Sequence, residues 1–156
     1  MADQETEKAG VRIRFMDVTD LDGVLELENR TFSTPWSRDA FYNEIVKNQF
    51  AYYTVAESAE GAIVGYCGLW VIIDDAHITN IAVDPEWRRE GIGERMMSEA
   101  MAFAKKRGAE RLSLEVRVSN TAAQAMYRKY GLQDGGIRKQ YYTDNQEDAL
   151  VMWVRL

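Results

Sequence analysis

Residues 80–94 read NIAVDPEWRREGIGE, and this stretch organises the reading of everything around it. An apolar strand, Ile81-Ala82-Val83, runs through Asp84-Pro85 into Arg88-Arg89-Glu90-Gly91-Ile92-Gly93, and an amphipathic helix follows at once. Glycines at a strand-to-helix turn let the phosphates of a ligand approach the backbone. The helix that begins there offers unpaired N–H groups and the positive end of its dipole. The same R-x-x-G-x-G spacing also serves a plain tight turn, so by itself it leaves both readings open. It lacks the Gly-Lys-Ser/Thr ending of a nucleotide P-loop, and its glycine spacing does not fit a dinucleotide fingerprint.

Working outward, residues 11–15 alternate as a half-buried strand does. Asp20 is placed to cap a helix carrying Val24, Leu27 and Glu28 on successive turns as far as about Phe32. Thr34-Pro35-Trp36-Ser37 breaks the chain before a second helix through Phe41, Ile45 and Val46. Three strands are expected over residues 51–56, 62–73 and 76–83, with Glu60-Gly61 and Asp74-Asp75 as the turns. The helix after the glycines puts Ile92, Met96, Ala100 and Phe103 on one face and stops at Lys105-Lys106-Arg107-Gly108. Residues 112–118 form a further strand, Asn120 caps the next helix, and Gly131 ends it. Two last strands, 132–138 and 148–155, flank the polar loop Thr143-Asp144-Asn145-Gln146. The order predicts a mixed α/β domain over residues 11–156, preceded by a polar stretch, 1–10, expected to be disordered.

At 156 residues one domain is expected, long enough to bury about two-thirds of its unfolded surface. A composition 46% hydrophobic and 28% charged is that of a globular protein, without the ~18-residue apolar run of a membrane span. No basic-plus-apolar leader opens the chain. The lone cysteine, Cys67, has no internal disulfide partner, which agrees with a reducing cytosol, and a cytoplasmic location is expected. A net charge of −6 argues against direct nucleic-acid binding and favours a cationic substrate or partner.

Candidate chemistry concentrates in Leu112-Ser113-Leu114-Glu115-Val116-Arg117-Val118. The leucines and valines take one face, and Ser113, Glu115 and Arg117 the other. That polar face either meets water or, in a central strand, lines a cleft, where partial drying would raise the Glu115 pKa and suit it to accept a proton. Tyr127, on the following helix, is either core packing or a phenol placed to protonate a departing thiolate. His77, the single histidine, is either packed and hydrogen-bonded or catalytic. Cys67 reads as a small buried apolar residue, and no Cys/His/carboxylate cluster has metal-ligand spacing, so no metal is expected.

The segment NIAVDPEWRREGIGE resembles the coenzyme A-binding signature of the GNAT (Gcn5-related) N-acetyltransferase fold, and the element order agrees over residues 11–156. Within that family, residues 32–36, the signature, LEVRVSNTAAQAMY at 114–127 and IRKQYYTDNQEDALVMW at 137–153 resemble the bacterial branch acting on the N-terminal alanine of a small-subunit ribosomal protein. The resemblance implies a single-domain fold whose central mixed, largely antiparallel sheet is twisted and flanked by helices on both faces.

It further implies acetyl-CoA as cosubstrate. Ile81, Ala82 and Val83 would bond its pantetheine arm and supply an N–H to the thioester oxygen. Arg88, Arg89, Glu90, Gly91, Ile92, Gly93 and Glu94 would hold the pyrophosphate, with Asn120 near the thiol. Glu94 departs from the pattern, since a basic or neutral residue suits that place better, and turning outward would favour the helix dipole. Glu115 would be the general base and Tyr127 the general acid, while Phe32, Pro35, Trp36, Tyr141 and Tyr142 would wall the acceptor's first residues. The acceptor so implied is a protein N-terminus, and a monomer is expected. The alternatives are other protein N-termini, a lysine side chain, a small amine, or a non-catalytic acetyl-CoA-binding module.

Overall fold

The computed structural model describes residues 10–156, so the disorder expected of residues 1–10 concerns, Gly10 apart, a stretch outside the described residues. β1 (Arg12–Phe15) leads through a 3-10 turn into α1 (Leu21–Thr31). α2 (Arg38–Tyr42) follows, its N-terminus capped by Ser37, and runs on as a π-helical turn at Asn43–Lys47. Then come β2 (Ala51–Glu57), β3 (Ile63–Ile72) and β4 (Asp75–Val83), and after the glycine turn α3 (Ile92–Lys106). The chain finishes as β5 (Arg111–Arg117), α4 (Thr121–Lys129), β6 (Gln133–Arg138) and β7 (Ala149–Arg155). Each expected element is present, with ends displaced by a residue or so.

Among the described residues the seven strands make one sheet in the order β1-β2-β3-β4-β5-β7-β6. Every neighbouring pair is antiparallel except β4 and β5, which are parallel over Asp75↔Arg111, Ala76↔Leu112 and His77↔Ser113 and then part. Two cores cover the two faces. The larger gathers α3 through Ile92, Met96, Met97, Ala100 and Ala104, together with Tyr127 of α4. The smaller packs Leu21, Val24 and Leu27 of α1 and Phe41 of α2 against Tyr53, Val55 and Tyr66. Phe41 meets the Tyr66 ring edge-on at 5.4 Å. This is the mixed, largely antiparallel sheet with helices on both faces.

One irregularity in β4 positions the site. Gly68 pairs with Asn80 and Leu69 with Ile78, leaving Thr79 as an extra residue. Side chains alternate along a strand, so one inserted residue reverses which ones face which core. Ala76 and Ile78 face the larger core before the bulge; Ile81 and Val83 pack against it afterwards, and Ala82 joins the smaller one. Thr79 Oγ1 lies 3.0 Å from the Tyr53 hydroxyl and donates to Asn80 Oδ1 at 2.9 Å.

The expectation for Asp20 needs correction. It stands at the N-cap position of α1, but its carboxylate makes no bond to the helix. It grips Arg14 of β1 with both oxygens at 2.8 Å and accepts the Asp17 N–H at 2.7 Å. A bidentate guanidinium outcompetes a helix N–H for a carboxylate, and the Arg14 partner holds the Asp20 pKa below the usual range.

Gly68 faces the bulge, where a Cβ would collide with Thr79 Oγ1 and lie 2.5 Å from Cζ of the buried Tyr53 ring. Overpacking of this kind costs roughly 1–3 kcal/mol, and Gly68→Ala should lower the urea midpoint accordingly with an unchanged m-value.

Candidate active site

Where β4 and β5 part, a cleft of about 430 Å³ opens. Its floor is Ile78, Thr79, Asn80 and Ile81 of β4 facing Leu114, Glu115, Val116 and Arg117 of β5. Glu28, Phe32 and Trp36 wall it on the α1 side, while Asn120 and Tyr127 enter from the α4 side. Tyr141, Tyr142 and Thr143 of the β6–β7 loop complete the rim. The cleft therefore draws side chains from both faces of the sheet, which a regularly paired β4–β5 would separate.

Glu115 is held by three groups. His77 Nε2 lies 3.3 Å from Oε1, the Tyr141 hydroxyl donates to the same oxygen at 3.3 Å, and Arg138 Nε is 3.9 Å from Oε2. The expected upward pKa shift is overturned. The hydrogen bond from His77 outweighs burial and, with the charge of Arg138 and the Tyr141 hydrogen bond, holds the carboxyl below its ordinary value. Tyr127 moves the other way, since burial pushes its phenol up and keeps it protonated. The Cys67 thiol is fully buried and pushed up to about 12, as suits a packing residue.

At the end of β4, Asp84 caps a single 3-10 turn, and residues 88–91 lead into α3. Gly91 has φ +76° and Arg89 has φ +67°, and Gly91 at the N-cap has no side chain to take up the first N–H groups of the helix. Gly93 has an ordinary φ, and a Cβ there would meet Met126 Sδ and Val83 Cγ2 at a comfortable 3.6 Å. Internal packing thus permits a side chain at Gly93; its absence leaves the backbone open to an approaching group. Glu94 turns away to Lys129 Nζ at 3.0 Å, which neutralises the one carboxylate that departed from the expected pattern.

The sequence profile of the Acetyltransferase (GNAT) family matches residues 21–132. The chain belongs to this family. A Bacillus subtilis (strain 168) protein provisionally named a ribosomal protein bS18-alanine N-acetyltransferase is 50% identical over 149 residues, covering 96% of this chain and 98% of its own. The Escherichia coli (strain K12) ribosomal protein bS18-alanine N-acetyltransferase is 36% identical over 143 residues, 90% of this chain and 94% of its own. The crystal structure of the ribosomal-protein-S18-alanine N-acetyltransferase from Escherichia coli superposes with a TM-score of 0.84 at 33% identity over 93% of each chain.

In this GNAT chain the cleft gathers Ile81, Glu115, Asn120, Tyr127, Phe32, Trp36, Tyr141 and Tyr142. Ala82 and Val83 pack into the two cores, residues 88–94 lie beyond the end of β4, and Pro35 does not line the cleft. Asn120 also caps α4, accepting the Ala123 N–H at 3.1 Å. Sequence reasoning missed Glu28, Thr79, Asn80 and Ser33. Glu28 had a signal: a carboxylate on the buried stripe of α1, which binds the Tyr66 hydroxyl at 2.6 Å and the Trp36 N–H at 2.9 Å. Burial raises its pKa.

Arg117 also emerges as the fastening of the rim. It pairs with Asp144 at 2.9 Å and Glu147 at 3.1 Å, and its guanidinium lies 4.0 Å from the centroid of the Tyr142 ring. Ser33 Oγ reaches across the mouth to Asp144 at 2.7 Å. Arg117→Ala should loosen the β6–β7 loop at a cost of about 1–3 kcal/mol, visible as faster amide exchange confined to residues 140–148.

Proposed function

We propose that this protein transfers the acetyl group of acetyl-CoA to the α-amino group of a protein N-terminus, most directly the N-terminal alanine of a small-subunit ribosomal protein. The observation that carries the reading is the similarity, over nine-tenths of both chains, to the Escherichia coli enzyme of that name. It is supported by a cleft that brings Glu115 and Tyr127 to one cavity beside the unpaired edge of β4.

The residues present fit coenzyme A. The uncapped N–H groups at the start of α3, the open backbone at Gly93 and the neighbouring Arg88 and Arg89 suit a pyrophosphate. The edge of Ile81–Val83, free of β5, suits a pantetheine amide chain added like a strand. Bound there, acetyl-CoA supplies an activated acyl group as a thioester. Holding the amine beside it gives the advantage of an effectively unimolecular reaction. Glu115, directly or through water, accepts the proton the attacking amine sheds. A backbone N–H near Val83 would stabilise the thioester oxygen, and the Tyr127 phenol, kept protonated by burial, would donate to the departing sulfur. Phe32, Trp36, Tyr141 and Tyr142 wall the acceptor's first residues.

Two matched basic peptides test the acceptor, one with a free N-terminal alanine and one N-terminally blocked but retaining a lysine. Purified protein with acetyl-CoA should release coenzyme A and gain an acetyl mass only on the free alanine. Acetylation of the blocked peptide would move the assignment to lysine. Binding of acetyl-CoA with neither peptide modified would favour a small-amine acceptor or an acetyl-CoA-binding module.

Glu115→Gln and Tyr127→Phe should keep acetyl-CoA affinity by calorimetry while turnover falls about 10²–10⁴-fold. Unchanged turnover in both would remove the assigned roles.

A further inference from the structure

His77 is the one histidine of the chain, and it stands on the last paired rung of β4 and β5, opposite Ser113, where the two strands begin to part. It does not line the cleft itself but touches Glu115, which does. Its imidazole bridges two polar residues of β5 on that face: Nδ1 lies 3.2 Å from Ser113 Oγ and Nε2 lies 3.3 Å from Glu115 Oε1. The Trp70 ring of β3 lies 6.3 Å from the imidazole, centroid to centroid. The other groups on the carboxylate are the Tyr141 hydroxyl and the Arg138 guanidinium.

We propose that His77 is a positioning residue for Glu115 and the group that sets the lower pH limit of the reaction; the proposal rests on Glu115 being the base. In the neutral imidazole, Nε2–H donates to Oε1 and Nδ1 accepts the Ser113 hydroxyl, which aims the carboxylate at the cleft without adding charge. A second proton, taken up on Nδ1, turns the same contact into an ion pair, with Ser113 Oγ now accepting. The imidazolium then stabilises the charged carboxylate and weakens it as a proton acceptor. The imidazole side chain is 30% exposed, so this proton exchanges with solvent without passing through the acetyl-transfer site. Burial pushes the Tyr141 phenol up, so it stays protonated across the working range. Glu115, with its pKa already held down, titrates well below an ordinary imidazole.

The test is the pH profile of kcat at saturating acetyl-CoA and peptide for wild type, His77→Gln and His77→Leu, each checked for unchanged melting and acetyl-CoA binding. Using one peptide throughout makes its own ionisation common to all three. A glutamine amide can still donate to Glu115 but never becomes a cation. At pH 7.5 His77→Gln should retain kcat within about threefold, while His77→Leu, with no donor, should lose tenfold or more. As pH falls from 7.5 to 5.5, the ratio of His77→Gln to wild-type kcat should rise at least fivefold along a one-proton curve. A ratio independent of pH, or His77→Leu equal to His77→Gln at pH 7.5, would overturn the proposal. Glu115→Gln is run alongside. If it retains turnover, the base assignment itself is wrong; if it loses turnover while the ratio stays flat, only the role of His77 fails.

Discussion

The extra residue at Thr79 is the constraint on which the rest of the site depends. A β4 paired in regular register would keep its alternation, sending Ile81 and Val83 away from the larger core and Ala82 into it. The bulge reverses that order, so the residues after it pack correctly only if β4 bends from its course. β5 does not follow, because its other edge is paired to β7 from Arg111↔Arg155 to Arg117↔Ala149. One strand is bent and its neighbour pinned, and a wedge opens between them. Everything the site uses sits in or beside that wedge, including Glu115 on the pinned strand and the free backbone of Ile81–Val83 on the bent one.

A bulge buried under a helix layer exposes backbone and side-chain polar groups that need partners, and a continuous hydrogen-bond network provides them. It runs from the Trp36 N–H through Glu28, the Tyr66 hydroxyl, Asn80 and Thr79 to the Tyr53 hydroxyl and Glu44. Glu44 closes it by accepting from Trp70 Nε1 and Asn48 Nδ2. Both tyrosines are pushed up by burial, so they serve as donors throughout. A satisfied buried network fixes one arrangement, because any alternative strands a polar group at a cost of about 1–3 kcal/mol. The same network reaches the α1–α2 loop at Trp36, which couples the shape of the wedge to the placement of the acceptor wall.

The element order was legible because periodicity reports which face is buried. The stripe on α3, the alternation of β5 and the capping Asn120 all appear where their spacing puts them. The splay was not legible, because residues 76–83 read as one continuous strand and the adjacent polar pair Thr79-Asn80 carries no signal of its own for a bulge. Glu115 and Tyr127 could be singled out in the sequence, and both line the cleft, but the sign of the Glu115 shift was not legible. That sign depends on His77, 38 residues earlier in the chain, meeting it at the last paired rung. Asp20 failed as a cap for the same reason: Arg14 offered a stronger partner, and local pattern does not report competition between partners.

A depressed Glu115 pKa also bears on when the proton moves. Taking a proton from a free N-terminal ammonium, near ~8, onto a carboxylate held below the ordinary glutamate range is steeply uphill. Finding the amine already neutral at pH 7 costs only about 1.4 kcal/mol, because roughly one molecule in ten is deprotonated. The chemistry changes once the new C–N bond begins to form. The nitrogen then gains positive character and its remaining protons become far more acidic than those of the ammonium, so a weakly basic carboxylate suffices as acceptor. On the proposed assignment, a carboxylate held down by its hydrogen bonds from His77 and Tyr141 suits that late transfer rather than stripping the incoming ammonium.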